Sequence, residues 1–286
     1  MIVVTGASGR YGREVIGHLL RRGLPAERIV AAVRDPARAR ALAARGVEVR
    51  VADYDDPGTL LTAFTGAEKL LLVSSTGPDH TRMAQHRAVV EAAGKAGAGL
   101  IAYTSVTGAP TNPMALAGVH RDTEQAIRES GLPAVVLRNG WYTENHTGTL
   151  PDAVARGVIA GSAGHGRIAS ATRADLAEAA AVVLARDDQA GRTYDLTGDT
   201  AWSLPELAEQ VTALTGRRVT YAALPPEQYR RILTGAGLPA PAVDLIVDAD
   251  VQIAQGALAG VTGDLRSLLG RPTTSLAAAV AQALGG

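Results

Sequence analysis

A Rossmann-type doubly wound α/β fold, a parallel sheet with a smaller C-terminal lobe on the substrate side, is what this chain predicts, on three observations. An apolar run at residues 1–4 breaks into three glycines spaced three apart, Gly6, Gly9 and Gly12. Short apolar segments then recur at 28–33, 47–51, 69–73, 100–103 and 134–137, each followed by polar or helical sequence. Helix starts are signed, with Asp35-Pro36 and Asp56-Pro57 placing a capping oxygen before a proline, and Ser203-Leu204-Pro205-Glu206 forming a capping box. Short apolar strands between helices require a parallel sheet covered on both faces.

The first unit carries most of the information. Val3 and Val4 suit a buried strand, and residues 13–22 place Val15, Ile16, Leu19 and Leu20 at helical spacing, so the glycines lie between strand and helix. That context marks a dinucleotide-binding turn. Gly6 supplies a tight turn, Gly9 lets backbone approach a pyrophosphate, and Gly12 lets the helix pack close to the strand. Gly6, Ala7, Ser8, Gly9, Arg10, Tyr11 and Gly12 are therefore expected around the phosphates, at a helix N-terminus.

The second strand delivers Arg34 and then Asp35, at the position where an acid selects the ribose of NAD and an arginine the 2′-phosphate of NADP. Asp35 is also the N-cap before Pro36, whereas Arg34 suits bidentate contact with a phosphate. NADPH is the expected cofactor, with NADH possible and weaker. Past the third strand, Asp53 either faces the adenine or caps the loop to Asp55 and Asp56. The fourth strand ends in Ser74, Ser75 and Thr76, on the sheet edge that opens into the ligand crevice. Asn139, Trp141 and Tyr142 follow the sixth strand and can border the same pocket, with Trp141 equally suited to packing between lobes.

Residues 1–150 read as the NAD(P)-binding domain, with strand and helix returns near 168–198, and 151–286 as the smaller mixed lobe. In the latter, Gly/Ser segments at 161–166 precede a strand near 193–196 and helices near 204–214, 227–233 and 242–254.

Composition excludes several classes. The formal net charge is zero and aromatic residues make up 3%, which leaves neither the basic field nor the stacking platforms of a nucleic-acid surface. With no cysteine, disulfides, thiolate metal sites and CxxC redox chemistry are ruled out, and no metal is expected. No apolar run approaches a membrane span and no signal peptide is visible, so the expectation is a cytoplasmic protein with no membrane partner. Oligomeric state is not readable.

Catalysis is informative by omission. A short-chain reductase that makes an alcohol needs a proton donor, normally a tyrosine followed four residues later by lysine, with a serine on the preceding strand. The chain has no Tyr-x-x-x-Lys. Tyr103-Thr104-Ser105 occupies the place of the serine, but the next helix carries His120-Arg121-Asp122-Thr123-Glu124. His120 is either a proton donor with a near-neutral pKa or a helix residue contacting solvent or backbone. Tyr142 is the other catalytic candidate.

The G-x-x-G-x-x-G spacing resembles extended and atypical short-chain dehydrogenase/reductases, and longer strings sharpen this. Arg138-Asn139-Gly140-Trp141-Tyr142-Thr143-Glu144-Asn145, Ile168-Ala169-Ser170-Ala171-Thr172-Arg173-Ala174-Asp175 and Leu269-Gly270-Arg271-Pro272-Thr273-Thr274 resemble the NmrA-like atypical reductases, on the quinone-reductase side of that family. The resemblance runs nearly the whole length. It implies direct hydride transfer from NADPH to a quinone or similar flat electron acceptor, without flavin. The implied cofactor contacts are Gly6 to Tyr11, Arg34, Ser74 to Thr76, Asn139, Gly140, Trp141, Tyr142, Thr143, Glu144 and Arg173. NmrA-like proteins also include non-enzymatic sensors of NADP(H), and loss of the Tyr/Lys pair suits both outcomes. A sugar-nucleotide epimerase is not expected, because it needs the tyrosine base that this helix lacks.

Overall fold

The computed structural model describes residues 1–285. In chain order the elements are β1 (Ile2–Val4), α1 (Arg10–Arg21), β2 (Ile29–Val33), α2 (Arg40–Ala43), β3 (Glu48–Val51), α3 (Pro57–Phe64), β4 (Lys69–Leu72), α4 (Asp79–Lys95), β5 (Leu100–Val106), α5 (Ala117–Glu129) and β6 (Ala134–Asn139). There follow α6 (Glu144–Thr147), α7 (Leu150–Arg156), β7 (Val158–Gly161), β8 (Arg167–Ile168), α8 (Arg173–Ala185), β9 (Thr193–Leu196), β10 (Trp202–Ser203), α9 (Leu204–Thr215), β11 (Thr220–Ala223), α10 (Pro226–Gly235), α11 (Ala240–Ala254), α12 (Asp264–Leu269) and α13 (Leu276–Gly285).

The main sheet has the order β3-β2-β1-β4-β5-β6-β9. Its first six strands run parallel, with Val3 opposite both Val30 and Leu70, and Thr104 opposite Leu137. Strand order reverses between β1 and β4, and that switch point opens a crevice outside the strands' carboxyl ends. The sequence's helix signals are made: Asp35 accepts from Ala37 N–H, Asp56 from Gly58 N–H, and both halves of the Ser203/Glu206 capping box are present.

The chain divides into two compact units, one of 1–109, 119–139 and 174–194, the other of 110–118, 140–173 and 195–286. Residues 110–118 and 140–150 group with the second unit, and 174–194 with the first. The first unit's core gathers Val3, Leu60, Phe64, Leu70, Leu72, Ile101 and Tyr103. Burying each large apolar side chain there stabilises the fold by about 1.5–3 kcal/mol. The second unit has its own core around Ile168, Trp202, Leu207, Val211 and Ile253.

Polar residues extend one strand beyond expectation. β5 runs to Val106 rather than stopping at Tyr103, because Thr104 and Ser105 find partners inside: Ser105 Oγ donates to Glu124 Oε1 at 2.6 Å. Among the described residues no helix is long and apolar enough to cross a membrane.

Candidate active site

The glycine turn divides its work among the three glycines. Gly6 has φ +58°, a conformation that glycine adopts without a Cβ penalty. A Cβ on Gly12 would lie 2.6 Å from the Gly6 carbonyl oxygen and 2.9 Å from Ala7 Cα, so this glycine is fixed by helix–strand contact. Gly9 is exposed, with φ −77°, and is the N-cap of α1. That helix has no side-chain cap and no acidic residue in its first turn, so its first N–H groups and positive dipole end are available to an anion. Tyr11 is 7% exposed and its hydroxyl donates to the Leu176 carbonyl. What it can offer a phosphate is backbone.

Arg34, at the end of β2, is exposed and forms no hydrogen bond or ion pair among the described residues. Asp35 is spent as a cap on Ala37 N–H at 2.9 Å. Asp53 uses one carboxylate oxygen to accept from Asp55 N–H at 3.1 Å, so its loop-capping role is realised. Beside it stands Tyr54. Its hydroxyl shares a hydrogen bond with the Thr5 hydroxyl and lies 3.0 Å from the Val73 carbonyl, while Thr5 Oγ1 lies 2.9 Å from Leu71 O and accepts from Val73 N–H. These bonds tie the ends of β1, β3 and β4 together. Burial raises the Tyr54 pKa and keeps the phenol protonated.

Ser74 and Ser75 are held by side chains. Ser74 N–H donates to Thr104 Oγ1 at 2.9 Å and Ser75 N–H to His86 Nε2 at 3.0 Å. Because the backbone N–H must donate, His86 Nε2 is an acceptor and its Nδ1–H faces Thr123 Oγ1 at 2.8 Å. Arg82 donates through Nε to Ser75 O at 2.8 Å and through Nη2 to Ser74 Oγ at 3.0 Å. The same Nη2 lies 3.4 Å from His120 Nε2, whose Nδ1 is 2.8 Å from Tyr103 Oη. Thr76 is exposed.

His120 therefore departs from both sequence readings. It is 6% exposed, and burial first, then the charge of Arg82, pulls its pKa down to about 3. Arginine can only donate, so Nε2 carries no proton and Nδ1–H points at Tyr103. Burial likewise raises the Tyr103 pKa. The neutral ring is an acceptor for Arg82, and the expectation of a near-neutral acid is corrected.

Ser105 is equally committed. It shares Glu124 with Arg138, whose Nε and Nη2 donate to the two carboxylate oxygens at 3.0 and 2.8 Å. The neighbouring Asn139 is 4% exposed, and neither its amide oxygen nor its nitrogen has a partner. Such a group leaves about 1–3 kcal/mol uncompensated.

In the second unit, residues expected to touch the cofactor hold one another. Both Glu144 carboxylate oxygens accept from Arg173 N–H, at 2.9 and 3.1 Å. The Arg173 guanidinium reaches Asn145 Oδ1 at 3.2 Å and lies 4.7 Å over the Tyr142 ring. These contacts brace the Glu144, Arg173 and Tyr142 side chains against one another. Gly140 is sterically required, since a Cβ would sit 2.7 Å from Leu196 O. Trp141 packs against the second unit's core. Thr143 Oγ1 bonds Ser170 Oγ at 2.8 Å, which also accepts from Trp202 Nε1. These three residues line a cavity of about 640 Å³ with Asp199, Thr273 and Thr274. No cluster of His, Cys, Asp or Glu among the described residues could hold a metal.

The chain resembles known proteins over nearly its whole length. A family model described as NAD(P)H-binding matches residues 6–187. Quinone oxidoreductase 2 of Escherichia coli is 46% identical over 280 residues, 98% of this chain and 97% of that protein. The crystal structure of an NADPH-dependent quinone oxidoreductase from Escherichia coli complexed with NADPH superposes with a TM-score of 0.96 at 46% identity, covering 99% of each chain. Triphenylmethane reductase of Citrobacter sp. complexed with NADP(H) gives a TM-score of 0.95 at 38% identity over 99% of this chain and 100% of that one.

Proposed function

Because the chain belongs to the NAD(P)H-binding family, we propose that it is an NADPH-dependent oxidoreductase that passes hydride directly to a quinone-type acceptor, without flavin, in the cytoplasm. One observation carries the reading: the first unit pairs an uncapped helix N-terminus and an unengaged Arg34 with no usable proton donor, since Ser105, Tyr103 and His120 are all buried and committed. The near-full-length likeness to a quinone oxidoreductase of Escherichia coli supports it.

NADPH, when bound, supplies the hydride from its reduced nicotinamide ring. The N–H groups at the start of α1 bind the pyrophosphate, and Arg34 binds the 2′-phosphate. The orphan amide of Asn139 offers both a donor and an acceptor, which fits the carboxamide of the nicotinamide. Ser74 and Ser75 shape the adjoining sheet edge. A quinone accepts hydride readily and its reduced oxygens are stabilised by the ring, so water suffices as proton source. The protein's task is then positioning in a dry site.

The direct test follows the loss of NADPH absorbance with 1,4-benzoquinone and no added flavin. Stoichiometric hydroquinone is expected. Tight NADPH binding without oxidation would instead favour a sensor of NADP(H).

Arg34→Ala should weaken NADPH binding by roughly 1.5–3 kcal/mol, the scale of a charged hydrogen bond, and barely alter NADH. Calorimetry with both cofactors decides; equal losses would remove Arg34 from the 2′-phosphate. His120→Ala should lower turnover less than about tenfold, short of the 10² or more of a general acid. With a pKa of about 3, the pH–rate profile should show no limb near the ordinary histidine value. A limb there that vanishes in the variant would restore His120 as the acid.

A further inference from the structure

We propose that Arg82 is a positioning residue for hydride transfer, holding the Ser74–Ser75 turn at the carboxyl end of β4 in the shape that the nicotinamide side requires. The proposal rests on the oxidoreductase reading above. Three groups of the turn fall to Arg82 and its neighbour on α4, His86: the Ser75 carbonyl and Ser74 hydroxyl to the guanidinium, the Ser75 N–H to the imidazole. No backbone ladder does this work, because β4 ends at Leu72.

Its setting is costly, which argues against simple packing. Arg82 is 5% exposed, and its carboxylate partner is Asp79 at 3.3 Å, a side chain 61% exposed. Taking a cation out of water costs several kcal/mol, and an apolar residue would pack a helix on a sheet more cheaply. What the guanidinium adds is direction. A planar fork with five donors can reach Ser75 O, Ser74 Oγ, His120 Nε2 and Asp79 Oδ1 at once, which a lysine ammonium cannot.

His120 then acquires a purpose. Tyr103 takes its Nδ1–H, which keeps Nε2 bare and turned to Arg82, so a neutral histidine locks the fork's orientation. Sites held to catalytic tolerance are supported in this way by residues that never touch the reactants.

The test compares wild type with Arg82→Lys and Arg82→Met by single-turnover NADPH oxidation with 1,4-benzoquinone, NADPH calorimetry, circular dichroism and amide hydrogen exchange of the 73–77 segment. In the folded variants the hydride-transfer rate should fall about 10²-fold, the scale of an ångström of misplacement. NADPH affinity should stay within about threefold, the signature of a lost transition-state interaction rather than lost binding. Exchange at the turn should quicken by about tenfold or more as its closed state opens. An unchanged rate in either folded variant would overturn the proposal, as would a loss matched by equal loss of NADPH affinity. Failure of both variants to fold would make Arg82 architectural and overturn it too. If wild type oxidises no NADPH with quinone, the functional reading fails separately. Exchange at the turn then decides, and unchanged protection in Arg82→Lys refutes the role of Arg82.

Discussion

Replacement of Gly9 by valine is expected to abolish NADPH binding and leave the fold intact. Gly9 sits at φ −77° and ψ 166°, an extended conformation that a β-branched residue adopts without strain. The position is exposed, and its added Cβ would meet only the Gly6 carbonyl oxygen, at 3.1 Å. Nothing in the free protein opposes the side chain strongly. The penalty arises when a pyrophosphate approaches the N-terminus of α1, where isopropyl and phosphate would compete for one volume. Affinity should drop more than about a hundredfold, or roughly 2.7 kcal/mol. Circular dichroism should match wild type. The contrasting substitution is Gly12→Ala, whose Cβ would lie 2.6 Å from backbone, so that one should cost stability first. If Gly9→Val binds NADPH with wild-type affinity, the turn does not hold the pyrophosphate.

This contrast shows which features were legible in the sequence. The need for glycine at 6 and 12 is local, set by one turn between a strand and a helix, and a pattern spaced three apart reveals it. The place of Arg34 was legible for a similar reason, since the end of β2 is a fixed position in the fold. Arg82 was not. Written beside Asp79 and His80, it reads as a solvated arginine in the first turn of α4, and only the fold brings it to His120, 38 residues away. His120 was misread for the same cause: a histidine's pKa depends on burial and on the charge beside it, and neither is written in the adjacent residues. Glu144 and Arg173 are less legible, because a distinctive string suits a cofactor contact and a structural brace alike, and these two hold each other.

Arg138 is the sharpest case of that ambiguity, and its replacement should be the most destabilising change considered. It opens the string that continues through Asn139, yet its guanidinium is turned into the first unit and grips Glu124 with two bonds of 3.0 and 2.8 Å. Glu124 is 3% exposed and also accepts from Ser105. Arg138→Met removes the cation and strands the carboxylate, with Arg128 at 3.8 Å as the nearest remaining charge. Breaking a buried pair from one side costs about 3–5 kcal/mol, because the surviving charge stays out of water. For a chain of this size that should lower Tm by roughly 6–20 °C. The double variant Arg138→Met/Glu124→Gln tests the cause: a neutral amide still accepts from Ser105 and has no charge to strand, so much of the loss should return. Folded protein should retain NADPH affinity in both variants, since the Arg138 guanidinium is engaged with Glu124. A loss below about 1 kcal/mol in Arg138→Met, a value typical of surface pairs, would show that Glu124 is not buried as described.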